Sequence, residues 1–529
     1  MTDTSTAAGT ASSSEERVSK DAEKREARVQ PPREVPPENQ VSQHAHDADE
    51  AMKAFEGLDG QPIVLTEADN KRLLRRIDWH LMPLMCMVYS LNYLDKAVLT
   101  FAGVMGVQED LNLKGDNFQW LGSIFHIGFL LWEYPSTLLL QRLPLAKYTG
   151  ACILLWGLVT AALAGTKDFA GAAANRFLLG ALESAVTPAF VLITSQWYTK
   201  YEQTTRTAIW FSFAGVGQIY GYFLAYGILI AERKNALAIE PWKALTLITG
   251  ILTMAFGAWF WWVIPDSQLN ARWLKKEDRT LAVERVRVNQ QGIGNKHFKM
   301  YQFKEALTDL TTWAFALYVC VAFIANGGLS IFYSQILVSL GYTPEKSFLV
   351  GTPIGVILAV GTLVLGVLGD RFGERLLLSM IPQSIAIIGM TLIVALPPTY
   401  KVVRLVGFYT LGSTVGPLMI MIGMLGTNFA GTTKKTTVAA LFIISMSVGS
   451  IIGPQVFRPQ YAPEYVLPKI CVIVCWSLCL VDVGFLRWYY RRRNQKKAEA
   501  RAAPGYFKVP NQEFLDLTDK ENPEFTYQV

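Results

Sequence analysis

Apolar residues in this chain come in long runs, and the charged residues are largely confined to the gaps between them. Twelve runs can be counted, at roughly 81–103, 118–140, 147–165, 171–198, 206–231, 243–264, 312–338, 347–369, 374–396, 403–426, 436–457 and 467–489. Each is close to the ~20 residues that carry a helix across a bilayer. Only helices and closed barrels satisfy their backbone groups inside hydrocarbon, and runs of this length read as helices. The pattern predicts an all-α polytopic membrane protein with twelve transmembrane helices. They fall into two six-helix bundles, residues 71–264 and 312–490.

The gaps set the organisation. Residues 1–70 are rich in Ser, Ala, Glu, Lys and Pro without an apolar core, and read as a disordered cytoplasmic tail. No signal-peptide pattern precedes the first run, which leaves targeting to the first membrane helix. Residues 265–311 form a hydrophilic linker, and 491–529 a second cytoplasmic tail. Within the linker, Leu269–Arg287 mixes charges with an apolar stripe at helical spacing, the signature of an amphipathic helix on a membrane surface. Basic residues such as Arg142, Lys147, Lys200, Arg206, Arg371, Arg375, Lys434 and Lys435 favour alternate loops, with Arg487 and Arg491–Arg493 after the last run. By the positive-inside rule both termini and the linker are cytoplasmic, although Arg233, Lys234, Lys243, Lys401 and Arg404 weaken the contrast.

Composition changes this picture little. Of 529 residues 51% are apolar, and the net charge of +6 flanks membrane runs, so it signals topology and not nucleic acid. The six cysteines include no CxxC pair. Cys471, Cys475 and Cys479 share one face of the last run and read as a packed small-residue stripe rather than a metal site. No cofactor is indicated. Walker loop, GxSxG elbow and HExxH are all lacking, which argues against ATP-driven pumping and hydrolase chemistry, and the chain does not read as an enzyme.

Two charged pairs stand where charge is expensive. Asp95-Lys96 lies near the end of the first run, and Arg176 and Glu183 lie in the fourth, about two turns apart on one helical face. A charge at mid-bilayer costs roughly 2.5–3.5 kcal/mol on insertion scales, so such residues face a bundle interior and are functional candidates. Lys96 and Arg176 offer positive charge to an anion; Asp95 and Glu183 offer carboxylates that can carry protons.

Short motifs follow in a fixed order: Arg76-Ile77-Asp78, Leu81-Met82-Pro83, Tyr93-Leu94-Asp95-Lys96, Trp132-Glu133-Tyr134-Pro135, Arg176-Phe177-Leu178-Leu179-Gly180 with Glu183, and Ile264-Pro265-Asp266. Together with the six-plus-six plan, they resemble the fungal anion:cation symporters of the major facilitator superfamily. Asn289–Gly292, Asn326-Gly327-Gly328 and Asp516–Asp519 with Asn522-Pro523 are similar to its allantoate permease branch. The resemblance implies that the first-helix pair and the fourth-helix Arg and Glu, here Asp95, Lys96, Arg176 and Glu183, bind the anion and couple protons. Two departures stand out: Lys96 replaces a frequent Arg, exchanging a bidentate fork for a point charge, and Gln268 replaces a proline.

Other residues remain open between two roles. Gly369–Arg375 resembles the superfamily's inner-gate motif, which assigns gating to Asp370, Arg371 and Arg375; a basic loop that only sets topology is the plainer reading. Glu133 is either a proton site or a structural partner to a gate loop, and His126 either titrates or packs. Asn326 and Gln218, and also Gln335, can hydrogen-bond substrate or a neighbouring helix. Gly215, Gly217, Gly221, Gly449 and Gly453 suggest close helix approach.

The functional expectation is proton-coupled uptake, by a monomer in the plasma membrane, of a small organic anion such as allantoate or a related ureido acid. The alternatives are efflux or organellar transport of a metabolite, and a non-transporting nutrient receptor on a carrier fold.

Overall fold

The computed structural model describes residues 66–287, 299–503 and 517–529. Residues 1–65 of the expected tail and the motif residues Asn289–Gly292 and Asp516 lie outside the described residues. Among the described residues every regular element is helical.

Helix α1 (Glu67–Ala102) begins well before the expected membrane entry, because Thr66 caps it by accepting the Asp69 amide proton at 3.2 Å. After α2 (Asn117–Arg142) and α3 (Leu145–Ala162), the fourth span divides into α4 (Phe169–Glu183) and α5 (Val186–Trp197), breaking immediately after Glu183. Then come α6 (Lys200–Arg233) and α7 (Pro241–Val263). The linker supplies α8 (Lys276–Arg287) and α9 (Met300–Thr308). The next spans are α10 (Leu310–Ser339), the pair α11 (Pro344–Gly351) and α12 (Pro353–Phe372), and α13 (Arg375–Ala395). Pro353 explains the break between α11 and α12, since it has no amide proton to continue the ladder. The pair α14 (Lys401–Thr410) and α15 (Val415–Asn428), α16 (Thr432–Val456) and α17 (Val466–Ala502) complete the twelve spans.

Ten spans are long and apolar enough to cross a membrane. The two that fall short are α1, which holds Asn92, Asp95 and Lys96, and α2, which holds His126 and Glu133. Of these residues, Asn92 and Asp95 are buried inside the bundle.

In the first group of helices α3 packs along α7, α2 against α4, and α1 against α6. In the second, α10 packs along α16, α13 along α14 and α17, and α12 along α15. The groups meet where α6 touches α11 and α12, α2 touches α16, and α1 touches α10. Gly215 lets α6 and α12 come together: a Cβ there would stand 2.4 Å from the Gly355 carbonyl oxygen. Polar ties between the groups gather at the end far from the linker. Gln119 donates to the Phe457 carbonyl at 2.7 Å, Ser123 to that of Ile451 at 2.7 Å, and Arg233 pairs with Glu345 at 2.7 Å.

At the linker end, α8 seats its charged residues on the first group. Asp278 receives Arg72 at 2.6 Å and Arg76 at 2.7 Å, while Arg285 binds Glu202, Asn70 and the Trp197 carbonyl. Both Asp278 and Arg285 are buried. The helix is held by polar contacts to protein through Asp278 and Arg285, which face inward.

Candidate functional site

The four charged residues read from the sequence converge in one buried cluster, paired across helices and not along them. Adjacent residues on a helix point in different directions, so Asp95 and Lys96 do not face each other. Instead the Lys96 ammonium lies 3.6 Å from the Glu183 carboxylate on α4. Arg176 lies within electrostatic reach of Asp95 first and Glu183 second. Asp95 and Glu183 also approach each other within side-chain hydrogen-bonding reach. Asp95, Arg176 and Glu183 are buried to 1%, 3% and 1% exposure, whereas the Lys96 side chain keeps 37%.

Close helix packing makes this geometry. A Cβ on Gly180 would stand 1.9 Å from the Phe125 carbonyl oxygen, so α2 and α4 touch backbone to backbone between the positions of Arg176 and Glu183. On α1, Ser90 meets Gly217 of α6 in the same way, at 2.2 Å from the site of a Cβ.

Two uncharged residues complete the cluster. Asn92 donates to Glu183 at 2.8 Å and accepts from Lys96 at 2.9 Å, bridging the pair. Thr160 on α3 donates to Asp95 at 2.9 Å. Several polar atoms are buried without a hydrogen-bond partner among the described residues: Asp95 Oδ2, Glu183 Oε1, and Arg176 Nε and Nη2. Two carboxylate oxygens lacking donors beside guanidinium nitrogens lacking acceptors form a site that can take up a proton and an anion.

The remaining expected residues are dispersed. His126 on α2 reaches the electrostatic field of Lys96 and Arg176 and stands edge-on to Phe125, with ring centroids 5.0 Å apart. Glu133, further along α2, has a buried Oε2 with no hydrogen-bond partner among the described residues, and the structure does not bring it to the cluster. Gln218 is buried on α6 one turn before Tyr222, which neighbours Tyr333 of α10. Asn326 belongs to the second group, where Thr414 donates to it at 3.4 Å. Asp482 on α17, not singled out by sequence, also has a buried carboxyl oxygen without a partner.

The arrangement of charged, cross-paired helices inside a twelve-span bundle is that of a carrier, and comparison with known proteins decides which. The profile of the major facilitator superfamily matches residues 85–454. The chain belongs to the major facilitator superfamily. This major facilitator protein is 38% identical over 460 residues to an uncharacterized transporter of Schizosaccharomyces pombe, covering 86% of this chain and 89% of that one. It is 33% identical over 492 residues to the allantoate permease of Saccharomyces cerevisiae, covering 90% of each. A thiamine pathway transporter of the same yeast is 33% identical over 457 residues, 86% of each chain. Among solved structures, a bacterial homolog of the human lysosomal transporter Spinster, inward-facing and unoccupied, superposes with a TM-score of 0.56 at 14% identity, over 80% of this chain and 97% of that one. As a member of the superfamily the chain is a membrane carrier rather than an enzyme, and the allantoate permease likeness expected from the motifs is present along nearly its whole length.

Several charged positions of this major facilitator protein lie at the linker end. In the expected gate loop the Asp370 side chain lies outside the described residues, and Arg371 is exposed. Among the described side chains of this loop, Glu374 forms ion pairs, receiving Arg487 at 2.8 Å and Arg491 at 2.9 Å from α17. Those two guanidiniums hold its carboxyl below the usual range. Gln268, the departure from the family pattern, is buried and donates to the Gln196 carbonyl at 2.6 Å. Beside it Asp266 accepts the Ala146 and Lys147 amides at 3.0 and 3.1 Å, fixing the start of α3.

The second group carries a strap. Residues 517–529 fold back so that Asp519 reaches the buried Lys434 at 2.7 Å, beside Asp309 at 2.7 Å and Glu305 at 2.9 Å. Tyr527 donates to Asp519 at 2.8 Å and stacks on Tyr490 at 4.9 Å, while Asn428 exchanges hydrogen bonds with Gln528. Burial pushes the Asp309 carboxyl up, but Lys434 and Lys520 more than offset that and hold it below its ordinary value. A depressed carboxyl contributes stability above its unfolded value and loses it only as pH falls through the folded one. The contribution of Asp309 is therefore in place at neutral pH.

Proposed function

We propose that this carrier is a proton-coupled symporter that takes up a small organic monoanion, with allantoate or a related ureido carboxylate as the first substrate to test. One observation carries the reading: Arg176 presents unpartnered guanidinium nitrogens within electrostatic reach of two carboxylates, each of which keeps one oxygen without a donor. Asp95, Lys96, Arg176 and Glu183 sum to zero charge when all are ionised. Adding a monoanion leaves one negative charge in a low-dielectric interior, which is costly. Adding a proton with it restores neutrality, and the gap between Asp95 and Glu183 is where a proton supplies the missing donor. By linkage, protonation then strengthens anion binding and the anion strengthens protonation. The coupled pair also moves no net charge against the membrane potential, which is worth about 2.3 kcal/mol per charge per 100 mV.

Substrate-contact roles go to Lys96 and Arg176, with Gln218 and Asn326 at the wall, and proton roles to Asp95 and Glu183. Glu133 is the reserve acid. The allantoate permease similarity supports a ureido carboxylate, and Lys96, a point charge, supports monodentate contact. With both termini and the linker cytoplasmic and the protein acting as a monomer at the plasma membrane, the ties at the far end correspond to an inward-facing state, and the two groups rock about the cluster.

The test is uptake of labelled allantoate and a panel of small carboxylates into sealed vesicles, with and without an imposed proton gradient. Glu183→Gln is expected to lose gradient-driven accumulation yet retain exchange of internal for external substrate. If Glu183→Gln and Asp95→Asn both accumulate substrate with unchanged pH dependence, the coupling assignment is wrong.

A further inference from the structure

We propose that the groove between α13 and α17 at the linker end binds the headgroup of an anionic phospholipid. The groove is a cavity of about 610 Å³ lined by Leu377 and Met380 of α13 and by Arg487, Trp488, Arg491 and Arg492 of α17. Its two helices carry exposed apolar stripes running away from it toward mid-membrane. On α13 these are Leu377, Ile381, Ile385 and Ile388; on α17 they are Val474, Leu478, Val481 and Trp488. A ligand that fits both parts has an anionic head and two hydrocarbon chains. A basic pocket between membrane helices with an aromatic residue at the interface is the physical form such recognition takes.

The charges are suited to it. Arg492 lies over the Trp488 ring at 5.5 Å and, among the described residues, forms no ion pair. Arg487 and Arg491 share a single carboxylate, Glu374, at 2.8 and 2.9 Å. Three guanidiniums against one acid leave the groove positive. A second basic cavity, of about 540 Å³ on α1, offers a contrast. It is built by one helix, and its Arg72 and Arg76 are both committed to Asp278.

The site has a consequence for the loop between α12 and α13. A lipid phosphate competes with Glu374 for Arg487 and Arg491, so its arrival loosens the tie between that loop and α17. Lipid composition thereby acts on the loop that resembles an inner gate, independently of which anion is carried.

The experiment uses the purified full chain in detergent and counts bound lipid by native mass spectrometry. Phosphatidylinositol and phosphatidylcholine of matched acyl chains are titrated onto the wild type and onto an Arg487→Gln/Arg491→Gln/Arg492→Gln variant. Phosphatidylinositol is expected to bind the variant on the order of a hundredfold more weakly, with phosphatidylcholine the same on both. Excess inorganic phosphate is expected to leave the lipid in place. Equal phosphatidylinositol binding on the two proteins overturns the proposal, and so does displacement by phosphate alone, which assigns the site to the free anion. Should the triple variant not fold, Glu374→Gln replaces it. Removing the competing carboxylate is expected to tighten phosphatidylinositol binding several-fold, and unchanged binding counts against the site.

Discussion

The two helix groups bury their charges at different depths. In the first, Asp95, Arg176 and Glu183 are buried inside the helix bundle with hydrogen-bonding atoms unused. In the second, the fully buried charged residues among those described are Asp309, Arg404, Lys434, Lys469 and Asp519, near the ends of their helices or in the strap. Lys434, the most heavily paired of these, is satisfied by three carboxylates. A charge held at mid-membrane with free valences is a cost that only a ligand repays, whereas a charge closed by its own chain is architecture. The second group is not free of such atoms, since Asp482 on α17 keeps a buried carboxyl oxygen without a partner among the described residues, but its buried Lys434 is closed by its own chain.

This contrast can be broken at either side. The largest effect is expected from Lys434→Ala, which leaves Asp309 and Asp519 buried without their partner. Such orphaned charges cost about 3–5 kcal/mol, read as a large drop in the detergent unfolding temperature and in surface expression. Arg176→Ala should do the reverse, preserving expression while weakening substrate by about 2–5 kcal/mol, ~30- to 5000-fold in affinity. Near-normal uptake by that variant would remove Arg176 from the site.

Smaller effects sharpen the boundary. Asn92→Ala takes a donor from Glu183 and an acceptor from Lys96, and about 1–3 kcal/mol is expected from stranding a buried polar group. Because protonation replaces the lost donor, the pH profile of uptake should move toward a more readily protonated site. Asn326→Ala should cost only ~0.6 kcal/mol if its sole task is the contact with Thr414. A tenfold or greater rise in the Michaelis constant would instead show that the second group contributes a substrate contact.

The charged cluster was legible because apolar surroundings make a charge conspicuous. Asp95, Lys96, Arg176 and Glu183 each interrupt a run that has every energetic reason to exclude them. Their pairing was not legible, since sequence neighbours suggested Asp95 with Lys96 while the fold joins Lys96 to Glu183. Asn92 and Thr160 escaped notice because uncharged polar residues enter membrane helices cheaply, although the i, i+4 spacing of Asn92 and Lys96 was a usable signal. The break after Glu183 was missed although Pro188 marks it: in the first turn of α5, it lacks the amide proton that would bond the Ser184 carbonyl. Glu374 was overshadowed by its basic neighbours. The strap was the hardest, because a hydrophilic segment after a final span reads as solvent-exposed until its aspartate is seen beneath a lysine.

That strap also imposes a schedule on synthesis. Asp309 and Glu305 precede Lys434 along the chain, but Asp519 is translated only after α16 and α17 have been made. In the interval Lys434 has Asp309 and Glu305 but lacks its third carboxylate, and the ring of Tyr490 lacks its stacking partner. The arrival of residues 517–529 supplies both, Asp519 to the lysine and Tyr527 to the ring.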